Sequence, residues 1–312
     1  MDPSTRARLN LAKLTALAKS AGADGLTPLG FPGGAAASEH GSLWVLTEGG
    51  LGGPLAVALK ADVPERLVVI TDEAAAAAVL ARRATYFASP ATIDVFFVDA
   101  TELRQPPFRA KEAVERPLAP SGGVPDGVDV VHEHGVTSFE VKGLEIGRII
   151  DGQLAVGVGK HDREAHLMAN SGATLEDLAA RVHKERRHDV PGSAATSYAR
   201  ERWLRSIAIA HPELVGVGAL TPVAPPLPRA DLRATSIAPA VGDGVVVAFS
   251  VGVDADLVPS AADARAMYAP DAELVLVVPE ADAVPNTYRL AAALKHPARV
   301  VTVPNNWPAL GD

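Results

Sequence analysis

The first hundred positions alternate between apolar and polar blocks in a way that is typical of an α/β protein. Leucines at helical spacing near the N-terminus predict an amphipathic helix, and Gly22 ends that pattern. Three aliphatic runs then predict strands, namely SLWVLTE, RLVVITDE and TIDVFFVD. Between them, GGPLAVALKADVP predicts a short helix or a turn, and AAAAAVLARRATYF predicts a helix. Strands that alternate with helices indicate parallel pairing.

The central part of the chain has a different pattern. Apolar runs are joined by short turns at His134-Gly135 and Asp151-Gly152, which predicts an antiparallel meander built from GVDVVHEHG, VTSFEVKGLEIGRII and QLAVGVG. Helices are predicted over HDREAHLMAN, over TLEDLAARVHKERRH with Thr174 as its N-cap, and over SYARERWLRSIAIAHPEL. This part therefore differs in architecture from the segment before it.

The C-terminal part returns to the first pattern. GVVVAFSVGVD, AELVLVVPE and RVVTVP predict strands, and AADARAMYA and TYRLAAALKHP predict helices between them. Residues 66–98 and 273–303 should each form a strand–helix–strand unit with parallel strands. Their similarity suggests an internal duplication, although any strand–helix–strand unit would have a similar pattern.

These patterns predict a mixed α/β (α+β) fold in which two strand–helix–strand lobes flank a central antiparallel meander with helices. Two stretches rich in proline are interpreted as linkers. The predicted segments are an N-terminal lobe, a linker, a central domain, a second linker and a C-terminal lobe, at 1–104, 105–124, 125–222, 223–240 and 241–312.

Composition narrows the function classes. The chain of 312 residues contains no cysteine, which excludes disulfides, thiolate zinc sites and thiol nucleophiles. Its formal charge of −8 argues against a broad nucleic-acid interface but allows a small basic cleft. The N-terminus shows no apolar run of signal-peptide length, and no apolar run reaches the ~18 residues of a membrane span. We therefore expect a cytoplasmic protein that makes no contact with a membrane.

The segment VPDGVDVVHEHGVTSFEVKG carries the sharpest candidate chemistry. Asp126 precedes one predicted strand, and Glu140 and Lys142 lie two residues apart on the next, where strand periodicity would place them on one face. Two carboxylates that share a Mg²⁺ ion, with a lysine nearby, can activate water for attack on a phosphodiester.

Pro125-Asp126 together with Glu140-Val-Lys142 resembles the motif of the PD-(D/E)XK nuclease superfamily. The resemblance covers about twenty residues, and Asp129 is an alternative to Asp126. It implies Asp126 and Glu140 as metal ligands, Lys142 as the residue that orients the attacking water, and Mg²⁺ as cofactor. The alternative is a hairpin whose charges are solvated, in a protein that acts through interaction or regulation and not through catalysis.

Two further features bear on function. The run RVHKERRH places Arg181, Lys184, Arg187 and His188 close together, which predicts either a local nucleic-acid-binding patch or a solvated helix face. Asp254 and Asp256 end the strand of VVVAFSVGVDADLVPS, where ligands bind in open α/β sheets. This second motif resembles that of haloacid-dehalogenase-type phosphohydrolases, which implies Mg²⁺ at these aspartates, with Asp263 or Asp282 as further ligands. The alternative is a polar loop.

The glycine-rich stretches GFPGGAAASEHG and EGGLGGP do not fit a dinucleotide fingerprint, and neither is predicted to lie between a strand and a helix. Over its whole length, the chain resembles a family of α/β proteins from high-GC actinobacteria through GLEIGR, GVGKHDREAH and VGVDADLVPSAADAR. That resemblance implies a cytoplasmic location and no known activity.

Overall fold

The computed structural model describes residues 2–60, 65–107, 123–169, 174–190, 194–227 and 237–311. Within these residues the chain forms three β-sheets and has the mixed α/β class that the sequence predicts. Two compact units are distinguished. The first comprises Met1–Lys111, Asp254–Asp263 and Val284–Ala298, and the second comprises Glu112–Val253, Ala264–Ala283 and Arg299–Asp312.

A six-stranded sheet organises the first unit. Its strands follow the chain order β1 to β6, and β3, β4 and β5 are parallel as predicted. The strands are β1 Thr27–Leu29, β2 Gly34–Glu39, β3 Ser42–Thr47, β4 Arg66–Thr71, β5 Thr92–Asp99 and β6 Glu102–Arg104. The helices are α1 Pro3–Ser20, α2 Gly52–Lys60 and α3 Ala74–Ala84. The aliphatic run of β4 is buried on both faces, as is usual for a central parallel strand.

Strand β2 and its antiparallel pairing with β1 and β3 were not predicted, because GFPGGAAASEHG is rich in glycine and alanine and contains no aliphatic run. Ala35, Ala36 and Ala37 of β2 are buried, and two of them pack against α1 in the same core as Trp44. Small side chains let helix and sheet approach closely, but alanine is depleted in strands and therefore gives little strand signal.

The second unit contains the predicted meander. Its strands are β7 Asp129–Glu133, β8 Val136–Val141, β9 Leu144–Ile150 and β10 Gln153–Val156, paired antiparallel in the order β10-β9-β8-β7. The turns at His134-Gly135 and Asp151-Gly152 are confirmed. A third turn at Lys142-Gly143, with φ of 47° and 76°, divides the run that was predicted as one strand.

Helices follow the meander in the chain. They are α4 Lys160–Ala169, α5 Leu175–Glu185, α6 Ala194–Ser197 and α7 Arg200–Ala210. The predicted cap of α5 is confirmed, because the Thr174 hydroxyl accepts a hydrogen bond from the Asp177 N–H at 3.1 Å, and the Asp177 carboxylate accepts one from the Thr174 N–H at 3.2 Å. Leu175, Ala179 and Val182 of α5 pack on the face of the sheet that includes Phe139 and Val141.

The third sheet, also in the second unit, has the order β11-β12-β13-β14-β15. Its strands are β11 Thr221–Pro222, β12 Ala238–Gly242, β13 Val245–Phe249, β14 Glu273–Pro279 and β15 Arg299–Val303, of which the last three are parallel. Helix α8, Leu257–Tyr268, follows β13 in the chain, and α9, Pro285–Ala292, follows β14. Trp203 and Leu204 of α7 and Trp307 of the last 3-10 turn lie in the core of this sheet.

The first and third sheets share one topology. Each contains a hairpin whose second strand begins a row of three parallel strands. The same backbone hydrogen bond joins the hairpin turn to the next strand in both, from Arg66 N to Gly41 O at 3.2 Å and from Glu273 N to Gly244 O at 2.9 Å. Both predicted strand–helix–strand units have parallel strands, which supports the duplication hypothesis.

An ion pair occupies the same position in both sheets with its charges exchanged. Arg66 begins β4 and bonds Asp94 at 2.7 Å, and Glu273 begins β14 and is bonded by Arg299 at 2.7 Å. In each case the partner stands opposite the third residue of the earlier strand. When the acidic and the basic residue exchange places, the ion pair is retained. The two segments therefore differ in sequence at these positions but have the same geometry.

The predicted segment boundaries remain a prediction. Most of the first predicted linker, at 108–122, lies outside the described residues, as does part of the second, at 228–236. Strand β12 begins within the second predicted linker. None of the helices in the described part of the chain is long and apolar enough to cross a membrane.

Candidate functional site

Glu140, the central residue of the nuclease-like motif, is buried in an ion-pair cluster. It lies on β8 between Phe139 and Val141, whose side chains face α5, so its own side chain points to the opposite face of the sheet. Only 1 % of Glu140 is exposed. There Arg202 of α7 bonds one carboxylate oxygen through Nη1, and Arg205 bonds the other through Nη2 at 3.3 Å. Both oxygens of Glu140 are therefore held by guanidinium groups.

Glu133 of β7 completes this cluster. Arg202 bonds its Oε2, and Nη1 of Arg205 lies 3.9 Å from its Oε1. Burial alone would lower the pKa of Arg202, but the carboxylates of Glu140 and Glu133 raise this pKa above its usual range. We call Glu133, Glu140, Arg202 and Arg205 the buried quartet. Its two negative and two positive charges balance without a metal ion.

Asp129 stands directly opposite Glu140 on the neighbouring strand β7. The nuclease-like motif requires an acidic residue at this position if Asp129 takes the place of Asp126. Burial raises the pKa of the Asp129 carboxyl, while the charges of Arg205 and His183 act in the opposite direction. The side chain nevertheless remains accessible to solvent. Of the acidic residues on β7 and β8, Asp129 is therefore the one next to Glu140 whose side chain is exposed to solvent.

Asp126 and Lys142 lie outside the strands. Asp126 is exposed in the turn that precedes β7. Strand β8 ends at Val141, so Lys142 occupies the following turn, and the argument from strand periodicity that placed it on the face of Glu140 is wrong. Its Nζ donates a hydrogen bond to the backbone oxygen of Arg186 at 3.3 Å. The catalytic roles of Asp126, Glu140 and Lys142 stay a prediction.

A second buried cluster extends the row of acidic residues across the sheet. Glu145 of β9 stands opposite Glu140 and is 7 % exposed. Arg148 bonds it through two nitrogens at 2.9 Å each, and Nη1 of Arg163 lies 3.0 Å from its Oε1. As at Glu140, two arginines face one buried carboxylate. The sequence alone does not reveal these clusters, because Arg163, Arg202 and Arg205 lie on helices that follow the strands carrying their carboxylate partners.

Arg186 has no exposed surface, although it lies in the run that was interpreted as a basic surface patch. Its guanidinium donates hydrogen bonds to four backbone oxygens, those of Lys142, Ala195, Tyr198 and Ala199. It also lies 4.7 Å from the centre of the Trp203 ring. Burial lowers the pKa of Arg186 to about 10, against the opposing influence of Glu201 and Glu140. Arg186 thus joins the Lys142 turn to α6 and α7.

The predicted basic patch lies on and just after α5, which covers the other face of the meander from Glu140. Arg181 pairs with Glu185 at 3.0 Å, and Arg187 pairs with Asp189 at 3.0 Å. This helix therefore does not pack on the face of the sheet that carries Glu140. Nucleic-acid binding by Arg181, Lys184, Arg187 and His188 stays a prediction.

In the first unit, Asp254 and Asp256 bond backbone N–H groups. Asp254 Oδ1 accepts a hydrogen bond from Asp256 N at 2.8 Å, where α8 begins. Asp256 Oδ1 accepts one from Gly52 N at 2.8 Å, at the start of α2. Burial raises the pKa of Asp254, which the hydrogen bond from Asp256 opposes. Their role as Mg²⁺ ligands stays a prediction.

The proposed additional ligands are also bonded. Asp263 is 2 % exposed and receives Arg82 through two bonds of 2.9 and 2.6 Å, Arg83 at 3.4 Å and the Tyr86 hydroxyl at 3.0 Å. In the second unit, Asp282 accepts a hydrogen bond from Gly252 N at 2.7 Å. Within the residues that the structure describes, no three histidine, aspartate or glutamate side chains are grouped so that they could hold a metal ion.

The expectation for one glycine-rich stretch is wrong. EGGLGGP does lie between a strand and a helix, since it connects β3 to α2. The glycines make room for the segment around Asp256: a Cβ atom at Gly50 would lie 1.9 Å from Asp256 Oδ2, and one at Gly52 would lie 1.8 Å from the backbone oxygen of Ala255. A carboxylate of the chain itself occupies the position where a bound anion would be expected.

Comparison with protein-family models, with curated proteins and with solved structures found no match to this chain.

Proposed function

We propose that the protein is a non-catalytic interaction or regulatory protein. The observation that carries this proposal is the ion pairing of Glu140, whose two oxygens bond Arg202 and Arg205 in a site closed to solvent. Magnesium binds carboxylate oxygens at ~2.1 Å and keeps several of its water molecules. A ligand for this ion needs a free oxygen at the edge of a wet cleft, and Glu140 has neither property.

Electrostatics favour the same conclusion. A divalent cation beside Glu140 would lie next to two guanidinium groups and would have to displace them from the carboxylate. Each displaced arginine would then keep only Glu133 of the quartet as a charged partner, and breaking such a pair from one side costs about 3–5 kcal/mol. The net charge of the buried quartet is already zero, so the site offers no compensating attraction for the cation.

The variant Glu140→Gln separates this proposal from catalysis. A structural role predicts a loss of about 3 kcal/mol in the free energy of unfolding, because Arg202 and Arg205 lose a charged partner. A catalytic role predicts an intact fold. The matched control is Glu164→Gln on α4, which removes an exposed pair with Lys160 at 3.6 Å that is worth well under ~1 kcal/mol. Urea denaturation of both variants measures the difference.

A magnesium titration of the wild-type protein is the second test. We expect an unchanged melting temperature with Mg²⁺ or with a chelator, and no cleavage of single- or double-stranded DNA or of RNA. Binding of Mg²⁺ to the native state alone would raise the melting temperature by mass action. Such a rise, abolished in Glu140→Gln, would overturn the proposal.

A metal-dependent phosphodiesterase is the second candidate, favoured by the position of Asp129 opposite Glu140. In that case Asp129 or Asp126 would supply the accessible ligand, and Asp129→Asn would abolish Mg²⁺-dependent cleavage. If Asp254 and Asp256 bound Mg²⁺ in a phosphohydrolase, both carboxylates would have to give up their hydrogen bonds from backbone N–H groups. The cytoplasmic location expected from the sequence remains part of the proposal.

A further inference from the structure

Helix α1 is apolar on the side that faces away from the protein. Leu14, Leu17 and Ala18 form its buried side and pack in the core of the first sheet. With ~3.6 residues per turn, Ala12 and Ala16 lie on the opposite side of the helix, and both are exposed. A helix at a protein surface normally carries polar or charged side chains on that side. The apolar outer positions of α1 therefore favour a surface that a partner covers.

The two alanines lie in a shallow groove that runs along α1, which we call the α1 groove. It has a volume of about 560 Å³ and is lined by Arg8, Leu11, Ala12, Thr15, Ala16 and Lys19. The Thr15 hydroxyl donates a hydrogen bond to the backbone oxygen of Leu11 at 2.9 Å, so this polar group is already satisfied. Leu9, which is 53 % exposed, lies on the same side of the helix and extends the apolar surface. The middle of the groove is therefore apolar.

Both ends of the α1 groove are positively charged. Helix α1 contains four basic residues and no acidic residue, in a chain whose formal charge is −8. Two of them, Arg6 and Lys13, pair with carboxylates of the first unit. The other two, Arg8 and Lys19, form no ion pair with any residue that the structure describes. They lie on the same side of the helix, eleven residues apart, which is about 16.5 Å along the axis.

We propose that the α1 groove binds an amphipathic helix that belongs to a partner protein and carries acidic residues. The apolar face of that helix lies on Ala12 and Ala16, whose short side chains let the two helix axes approach closely. Two of its carboxylates, about three turns apart, pair with Arg8 and Lys19. The inference goes beyond the proposed function, because α1 belongs to the first unit and docking there requires nothing of Glu140.

Charge and shape favour this occupant over two others. If α1 of a second copy lay antiparallel in the groove, Arg8 of each copy would meet Lys19 of the other, and the like charges would repel twice. Helices that bind an anionic membrane bury tryptophan, phenylalanine or several leucines in it. The outer side of α1 offers alanines and a single strongly exposed leucine, Leu9. A helix with its own larger apolar side chains and with carboxylates matches both the shape and the charge of the groove.

The test is the fluorescence anisotropy of a labelled peptide that is titrated with the full chain. The peptide has the 18-residue length of α1, with leucine and alanine on one face, glutamine on the other, and two glutamates eleven residues apart beside the apolar face. We expect saturable binding that weakens as salt is added. Arg8→Glu and Lys19→Glu should each raise the dissociation constant about fivefold, because each turns an attraction between exposed charges into a repulsion.

An exchange of charges between the two partners separates docking in the groove from nonspecific association. A second peptide carries lysines in place of the two glutamates and should bind the wild type more weakly than the acidic peptide does. The variant that combines Arg8→Glu and Lys19→Glu should reverse this preference and bind the basic peptide more tightly than the acidic one.

Ala12→Gln tests the close approach of the two helices. A long side chain on the outermost side of α1 holds the helices apart and should raise the dissociation constant at least about tenfold. Ala7→Gln is the matched control, because Ala7 is also exposed on α1 but does not line the groove, and it should leave binding unchanged. Both variants should melt at nearly the temperature of the wild type, since glutamine is also a good helix former.

The proposal would be overturned if the acidic peptide did not bind, if its affinity did not depend on Arg8 and Lys19, or if Ala7→Gln weakened binding as much as Ala12→Gln. Two other outcomes would assign the groove to another occupant and would also overturn the proposal. One is binding to phosphatidylglycerol vesicles that Arg8→Glu abolishes, and the other is a dimer in sedimentation that Ala12→Gln dissociates. None of these results bears on the role of Glu140, which the magnesium titration tests separately.

Discussion

The backbone N–H of Gly52 donates a hydrogen bond of 2.8 Å to the carboxylate of Asp256, 204 residues further along the chain. The negative charge lies at the start of α2, where the helix dipole and the unpaired N–H groups favour it. The glycines of EGGLGGP are thereby explained by the close approach of the segment around Asp256, with no need for a bound nucleotide.

We expect Gly52→Ala to lower the free energy of unfolding by about 1–3 kcal/mol, because its Cβ would lie 1.8 Å from the backbone oxygen of Ala255. The neighbouring Gly53→Ala is the matched control. Its Cβ would contact only the ring of Phe31, at 3.3 Å, and alanine favours a helix over glycine by ~1 kcal/mol. Chemical denaturation should therefore give Gly53→Ala a clearly higher free energy of unfolding than Gly52→Ala. Equal values would contradict the inference that Gly52 is needed for the close approach of Ala255.

Asp263→Asn should destabilise the protein by about 3 kcal/mol. The buried carboxylate accepts Arg82, Arg83 and the Tyr86 hydroxyl, and a neutral amide cannot balance the guanidinium charges. Asp271→Asn, at an exposed aspartate just before β14, provides the comparison. If thermal denaturation gave the two variants the same stability, the cluster around Asp263 would not contribute as we infer.

Arg186→Lys should cost about 2–4 kcal/mol, because an ammonium group cannot reach the four backbone oxygens that the planar guanidinium bonds. The same substitution at Arg181, an exposed residue of α5, is the control and should change stability by less than ~0.5 kcal/mol. Loss of the contact with Trp203 should also change the near-ultraviolet circular dichroism of Arg186→Lys only.

Asp129→Asn tests the raised pKa of this carboxyl. Because the folded state holds the proton more tightly than the unfolded state, ionisation disfavours folding, and stability is lost as the pH rises from about 3.9 through the folded pKa. The asparagine variant should therefore gain stability over the wild type above that range and lose the advantage below it. Arg205 and His183 attract the ionised form and reduce the gain.

The measurement is the free energy of unfolding of the wild type and of Asp129→Asn at pH values from 3 to 7. Asp126→Asn is the control, because it removes one negative charge from the same region. A difference that stays constant would show that attraction to Arg205 and His183 cancels the effect of burial, and a difference that reverses sign at neutral pH would show that attraction outweighs it.

Local patterns predicted most of the fold. The aliphatic runs of β3, β4 and β5, the alternation with helices, the hairpin turn at Asp151-Gly152 and the cap at Thr174 each depend on a few neighbouring residues, and the structure confirms them. Elements with weak local signals were missed. The alanine strand β2 resembles a loop, and the turn at Lys142-Gly143 lacks the aspartate or asparagine that usually marks such turns.

What the sequence by itself determined is therefore most of the secondary structure and the mixed α/β class, because backbone propensity and hydrophobic period act over short distances. Only the tertiary structure decided the environment of Glu140. Its partners Arg202 and Arg205 are 62 and 65 residues away along the chain. A glutamate that binds a metal ion and a glutamate that neutralises two arginines can occupy the same position in the same sequence motif. They differ in which charges the fold brings within hydrogen-bonding distance and in whether water can reach them.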